Sequence, residues 1–236
     1  MLALLFVVVP TLGYAQQVSI DLGEGSSLTL RTVQLFVLIT VLSLAPGLAI
    51  MITCFPFMIT VLSILRQAIG VQQAPPNMLI VSLALFLTYF VMEPVFRESW
   101  TTGVQPLLDG EIEPDAGIQA ALAPFREFME GRTDPATLAE MASIAPQSAQ
   151  QTTGQTPLSV LIPTFLLSEV QRGFEVGFLI FLPFLIIDLV VAAVLMSMGM
   201  MMVPPAVVAL PFKLAFFVLA DGWTLLAGAM VRSYGS

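Results

Sequence analysis

The sequence predicts an all-α integral membrane protein, made of proline-broken long helices and helical hairpins that gather into a multi-subunit assembly. Three observations predict it. Hydrophobic residues make up 57% of the chain and charged residues 10%, a balance that fits a bilayer rather than water as solvent. Apolar runs between Val33 and Val231 are long enough to cross hydrocarbon as helices. Eight prolines (Pro46, Pro56, Pro94, Pro163, Pro183, Pro204, Pro205, Pro211) lie in or beside those runs together with stranded charges, and lipid satisfies neither the freed carbonyls nor the charges.

Composition also narrows the chemistry. The chain has no His, which removes Ser-His-Asp and Cys-His catalysis and the commonest metal ligand. Its single Cys54 sits in an apolar run, forms no intramolecular disulfide and reads as a buried structural thiol. No nucleotide-binding GxxxxGK[ST] or GxGxxG string is present, so energy for any transport comes from another protein or from the membrane potential. The eight Lys and Arg are scattered singly, which argues against a nucleic-acid partner. The expectation is a protein with no enzymatic activity, cofactor or metal.

Residues 1–15 are apolar and end in Gly13-Tyr14-Ala15 before Gln16 and Gln17, the pattern of a cleaved secretory signal. An uncleaved anchor is the alternative, since no Lys or Arg precedes the run. Residues 16–97 form an amino-terminal helical region with a first hairpin. Within it Val33 to Leu65 carries no charge but is too long for one straight span, and Pro46 and Pro56 predict a kinked or broken path. Arg66 in the following link favours a cytoplasmic loop. Met78 to Met92 reads as a helix closing at Glu93-Pro94.

Residues 98–156 are an acidic insertion. From Glu98 to Gln155 there are nine Asp and Glu against two Arg, and the scarcity of basic residues fits an extracytoplasmic side. Phe125, Phe128, Met129 and Leu138 are spaced for a short helix or two, while Ala145 to Thr156 reads as linker. The insertion is expected to be small or partly disordered.

Residues 157–236 are a helical hairpin region with a Met-rich constriction. Pro157 to Leu167 is apolar but too short to span, and Glu169, Arg172 and Glu175 follow at a spacing that lets them pair along one helix face, as a solvated border turn or a subunit contact. Phe174 to Met202 is ~43 Å long as a helix, Pro204-Pro205 breaks it, and Ala206 to Val231 forms a last segment interrupted by Pro211, Lys213 and Asp221-Gly222. Hydropathy thus counts four spans, with both mature ends extracytoplasmic.

Asp188 and Lys213 are ionisable groups inside apolar segments and need partners. If Pro204-Pro205 is the hairpin tip, Asp188 lies ~24 Å from it and Lys213 ~12 Å, so each is expected to meet a partner on another segment or subunit. Leu195 to Met202 contains five Met, three of them consecutive at Met200, Met201 and Met202. Three in a row point different ways around a helix, which predicts a loop or helix end lining a constriction with deformable thioethers.

Two long strings carry a specific resemblance. Phe55 to Asn77, FPFMITVLSILRQAIGVQQAPPN, continues into LALFLTYFVMEPVF from Leu83 to Phe96; a second match runs from Ser168 through GFLIFLPFLIIDLVVAAVLMSMGMMMVPP to LPFKLAFFVLADGW, ending at Trp223. The chain resembles the FliP family and its type III secretion relatives, departing at Pro56-Phe57, where many relatives carry Thr-Arg, and in the acidic insertion. The resemblance implies a core subunit of the flagellar protein-export gate at the basal body in the bacterial inner membrane. In such a gate about five copies form a homo-oligomer around a conduit for unfolded export substrates. FliQ-type and FliR-type subunits, an FlhB-type protein, a cytosolic export ATPase and membrane lipid are the implied partners. Met200, Met201 and Met202 resemble the channel gasket, and Asp188 and Lys213 resemble buried contacts in the gate. Relatives form a helical assembly raised above the membrane plane, so subunits instead of lipid are the alternative surroundings of the apolar segments. Injectisome duty is the nearest alternative function. An ion-coupled transporter lacks support because no internal repeat is present, and an aspartyl protease using Asp188 and Asp221 lacks a GxGD context.

Overall fold

The structure, a computed structural model, describes residues 28–71, 75–146, 155–200 and 202–235. The expected signal at 1–15 and most of the expected linker fall outside them. Among the described residues every regular element is a helix, as composition predicts. The chain divides into two compact units, Met1–Ala45 and Pro46–Ser236.

In the first unit the described residues belong to helix α1 (Leu28–Met51), whose described large apolar side chains are exposed, Phe36 to 72%. Its hydroxyls are hidden from an apolar medium by bonds within the helix: Thr40 Oγ1 donates to the Phe36 carbonyl at 2.8 Å and Ser43 Oγ to that of Ile39 at 2.7 Å.

The second unit is built around α2 (Phe55–Ile69). The chain breaks between Met51 and Phe55, and Pro56 sits in the first turn of α2, where its missing N–H removes no helical bond. Phe57, Met58, Val61, Leu62, Leu65, Ala68 and Ile69 are buried at helical spacing, so α2 is an interior helix and not the second half of a lipid-facing rod. Cys54 is fully buried just before it, as expected of a structural thiol, with Sγ 4.0 Å from the Thr88 carbonyl.

Helix α3 (Asn77–Ser99) buries one narrow stripe, Ile80, Ala84, Thr88 and Met92, and turns Phe86 and Phe90 outward. It does not close at Glu93-Pro94. Pro94 stays inside the helix, which passes through a π-helical turn (Trp100–Val104) into α4 (Gln105–Leu108). That turn is pressed against α5 (Pro114–Arg132), where a Cβ on Gly103 would overlap the Ala121 backbone and Ser99 Oγ donates to the Ala121 carbonyl at 2.7 Å.

The insertion holds more structure than its composition predicts. After α5 comes α6 (Pro135–Ile144), capped by Asp134, whose Oδ2 accepts from the Thr137 N–H at 2.8 Å. Met129 of α5 packs with Leu161 and Phe165 in a second apolar cluster, and the Phe128 and Phe165 rings meet edge-on at 5.8 Å. A helix that buries its own apolar stripe against the hairpin region is part of the core, which is why an acidic segment is ordered here.

Leu161 and Phe165 belong to α7 (Leu158–Ser197), 40 residues long and so roughly 60 Å. Pro157 to Leu167 is therefore no separate short segment but the start of this helix, and Pro163 and Pro183 lie within it. Gly173 and Gly177 let α7 approach α2: a Cβ on Gly173 would come within 3.0 Å of Thr60 Cβ and Cγ2. The small-xxx-small spacing is thus spent on a contact inside the chain. Helix α8 (Pro205–Leu219) returns along α7 and meets α9 (Gly222–Arg232) at a 62° bend. Asp221 makes that bend with φ 49°, and a Cβ on Gly222 would overlap the Phe217 ring.

By length and composition, Asn77–Leu108 and α7 are each able to cross a membrane, and α8 with α9 make a third span if the bent pair is taken as one. Within the apolar stretch from Val33 to Leu65, α2 faces the protein interior, an environment that hydropathy cannot tell from lipid.

Candidate functional site

The α7–α8 hairpin brings together the charges that the sequence leaves stranded. Lys213 Nζ donates to Asp188 Oδ2 at 2.6 Å and to the Ala68 carbonyl at 3.0 Å. The expectation that the two charges sit at unmatched depths is corrected here. It took Pro204-Pro205 as the tip, but α7 ends at Ser197 and α8 starts at Pro205, so Met198 to Pro204 belongs to the connection. Counted from the helix ends, Asp188 is about 14 Å deep and Lys213 about 12 Å, and the side chains meet across the hairpin.

The second partner of Lys213 explains its burial. Ala68 lies in the last turn of α2, just before Gly70 caps that helix with φ 85°. Its carbonyl is one of those that the helix itself leaves unbonded and sits at the negative end of the helix dipole. The ammonium, 7% exposed in its side chain, therefore ties three helices at once. Asp188 is 33% exposed, and its Oδ1 is buried without a hydrogen-bond partner.

The Met run lies at the hairpin tip, in the loop that its spacing predicts. Gly199 adopts φ 73° and ends α7: its N–H donates to the Met196 carbonyl and the Met200 N–H to that of Leu195, both at 3.0 Å. Met202 is 97% exposed and Met200 41%. Met201 falls outside the described residues.

Glu169, Arg172 and Glu175 do not pair with one another along α7. Glu169 is fully buried and turns to α5, where Arg132 Nε donates to its Oε1 at 3.2 Å. Its Oε2 accepts from the Tyr234 hydroxyl, and the Arg132 guanidinium stacks 4.0 Å over the Tyr234 ring while donating to the Ser233 carbonyl at 2.9 Å. Arg172 is half-buried beside Asp134, and Glu175 is exposed and accepts from Gln171 Nε2 at 3.0 Å. The helical spacing placed Arg172 three residues from each acid, yet a buried carboxylate takes the partner that is buried with it. Arg132 and Tyr234 are the residues that sequence reasoning missed; the one available signal was an Arg in an otherwise acidic segment.

The two aspartates of the protease alternative have separate duties. Asp188 holds Lys213, whereas Asp221 forms the α8–α9 bend and accepts from Thr224 Oγ1 at 3.1 Å. Among the described residues no cluster of three potential metal-ligating side chains occurs.

Comparison with known proteins follows the same strings of sequence. The FliP family profile matches residues 38–230. The chain is 52% identical to the flagellar biosynthetic protein FliP of Caulobacter vibrioides over 98% of its length and 88% of the relative's. It is 47% identical to the protein of that name from Agrobacterium fabrum, over 95% and 94% of the two chains. The Bacillus subtilis protein of that name is 44% identical over 86% of this chain and 92% of its own. With nearly the whole hairpin, its charge clasp and its Met loop inside the matched region, this chain belongs to the FliP family.

Proposed function

We propose that the chain is a core subunit of a flagellar type III protein-export gate, a non-enzymatic part of an inner-membrane conduit for unfolded flagellar proteins. The carrying observation is the α7–α8 hairpin: a clasp of buried charge holds two apolar helices together, and a loop rich in Met stands at their tip. Relatives matched along nearly the full chain carry the name flagellar biosynthetic protein. Thioether side chains adapt to surfaces of varied shape, which suits a seal that closes against a passing polypeptide.

Exposed apolar side chains on α3 and α7, among them Phe86, Phe90, Phe174 and Phe178, support a setting of lipid and sibling subunits. About five copies with FliQ-type and FliR-type chains, and an FlhB-type neighbour, complete the proposed gate. The acidic insertion, residues 98–156, faces the periplasm in this reading.

Co-purification from membranes with candidate neighbours, followed by native mass measurement, tests the assembly. A discrete oligomer containing several copies of the chain is expected, together with loss of motility when the gene is deleted. A stable monomer that complements motility on its own would overturn the proposal.

A further inference from the structure

Tyr234 stands where three helices meet without belonging to any of them. Helix α9 ends at Arg232, and the turn after it stays bonded to its last residues: the Tyr234 N–H donates to the Val231 carbonyl at 3.1 Å and the Gly235 N–H to that of Arg232 at 3.2 Å. From that turn the Tyr234 ring reaches back into the core. It stacks on Phe128 of α5 with centroids 6.0 Å apart, meets Phe57 of α2 edge-on at 5.6 Å, and lies under the Arg132 guanidinium. One oxygen of Glu169 takes the Tyr234 hydroxyl and the other takes Arg132, which also donates to the Ser233 carbonyl. Arg132 Nη2 is already buried without an acceptor, so the guanidinium has none to spare if this turn moves. The partners are far apart in the chain, Ser233 lying 101 residues after Arg132. Among the described residues the main neighbours of α9 are α8 and α3, whereas those of α5 are the π-helical turn, α3 and α7.

We propose that Ser233 and Tyr234 form a strap that couples the docking of α9 to the docking of the acidic insertion. The strap serves the insertion in two ways. Its ring covers the Arg132–Glu169 pair, and two opposite charges attract more strongly when water is kept from between them. Its hydroxyl and carbonyl complete the hydrogen bonds of a carboxylate that is fully buried and of the guanidinium facing it. Because the strap is bonded to the last turn of α9, that helix cannot leave the core without lifting it. Arg132 and Glu169 are then wetted and under-bonded, and α5 loses its hold on α7. Linkage makes the effect reciprocal: an insertion that stays docked holds the strap, and with it α9, in place. The inference concerns the single chain and stands apart from the conduit reading above.

The test is hydrogen exchange of the α5 amides in the full chain purified in detergent, with the α2 amides as the reference for opening of the whole core. Tyr234→Ala is expected to speed α5 exchange several-fold while α2 is unchanged. Leu226→Ala weakens α9 away from the strap, where Leu226 lines a crevice with Leu65 and Phe184. In the wild-type background it is expected to speed α5 several-fold more than α2. In the Tyr234→Ala background it is expected to add nothing to α5, since the connection is already cut. If Leu226→Ala speeds α5 equally in both backgrounds, the coupling runs through α3 and the proposal is wrong. It is equally wrong if Leu226→Ala leaves α5 unmoved in the wild-type background, or if Tyr234→Ala speeds α2 and α5 alike, as loss of an ordinary core ring does. Should Tyr234→Ala not fold, the same cycle with Tyr234→Leu, which keeps apolar volume but neither stacks nor donates, decides.

Discussion

Replacing Lys213 by Met keeps the length of the side chain and deletes only its charge, which isolates the clasp between α7, α8 and α2. Two acceptors lose their donor, Asp188 Oδ2 at 2.6 Å and the Ala68 carbonyl at 3.0 Å. Breaking a buried ion pair from one side costs about 3–5 kcal/mol, and leaving a buried carbonyl unbonded about 1–3 kcal/mol. These do not add in full, because both acceptors lose the same donor and interactions within one network are not additive. A net loss of about 3 kcal/mol is expected. With Asp188→Asn in the same chain the carboxylate no longer suffers, and the double variant is expected to recover about 1–2 kcal/mol relative to the sum of the singles.

The exchanged pair, Asp188→Lys with Lys213→Asp, is the sharper test. It restores attraction between α7 and α8 but sets a carboxylate against the Ala68 carbonyl at the negative end of the α2 dipole. It is therefore expected to remain as unstable as the Lys213 single variant. Thermal unfolding in detergent, read by loss of helical signal alongside recovery of the assembled oligomer, measures all four chains. An exchanged pair as stable as wild type, or a Lys213→Met chain within about 1 kcal/mol of it, would refute the three-helix clasp.

Other perturbations follow from the same geometry. Gly177→Val places a Cβ within 3.1 Å of Ile64 Cβ and Cγ2, and overpacking of this kind is expected to lower stability by about 1–3 kcal/mol, with partial recovery when Ile64→Ala is added. The check is the melting midpoint of the single and double variants; equal midpoints would mean that α7 and α2 are not in close approach. Arg132→Met leaves fully buried Glu169 with only the Tyr234 hydroxyl, an expected loss of about 3–5 kcal/mol, against a smaller one for Tyr234→Phe. A proteolysis series on α5 reads this, and equal resistance of the two variants would count against the network. At the cap of α6, hydrogen bonds from the Thr137 backbone and side chain hold the Asp134 carboxyl below its ordinary pKa. A depressed folded pKa means that the cap stabilises at neutral pH and that this help is lost as pH falls below about 4. Protection of α6 amides, measured by hydrogen exchange relative to the intrinsic rate at each pH, is expected to fall across that window in wild type and to stay flat in Asp134→Asn.

Much of the molecule was legible before any coordinates. The membrane class follows from composition, and the breaks near Pro56 and Asp221-Gly222 follow from residues whose backbone limits act within one turn. The Met run declared itself a helix end for the same local reason, as three neighbours cannot share a stripe. Prolines misled where packing outweighs local preference: Pro94, Pro163 and Pro183 all remain inside helices, because a long apolar rod tolerates one missing bond when its neighbours hold it.

What the tertiary structure alone decided lies in pairings distant along the chain. Arg132 finds Glu169 from 37 residues away, Tyr234 finds it from 65, and Lys213 reaches Ala68 across 145. Periodicity carries no information about such meetings, since it reports which face of a helix is apolar and not which helix covers it. The Asp188–Lys213 contact shows how narrow the margin is. Treating Met198 to Pro204 as a connection between two helix ends, rather than as helix, changes a depth mismatch into a bond, and the α7 end of that connection is set by one left-handed glycine.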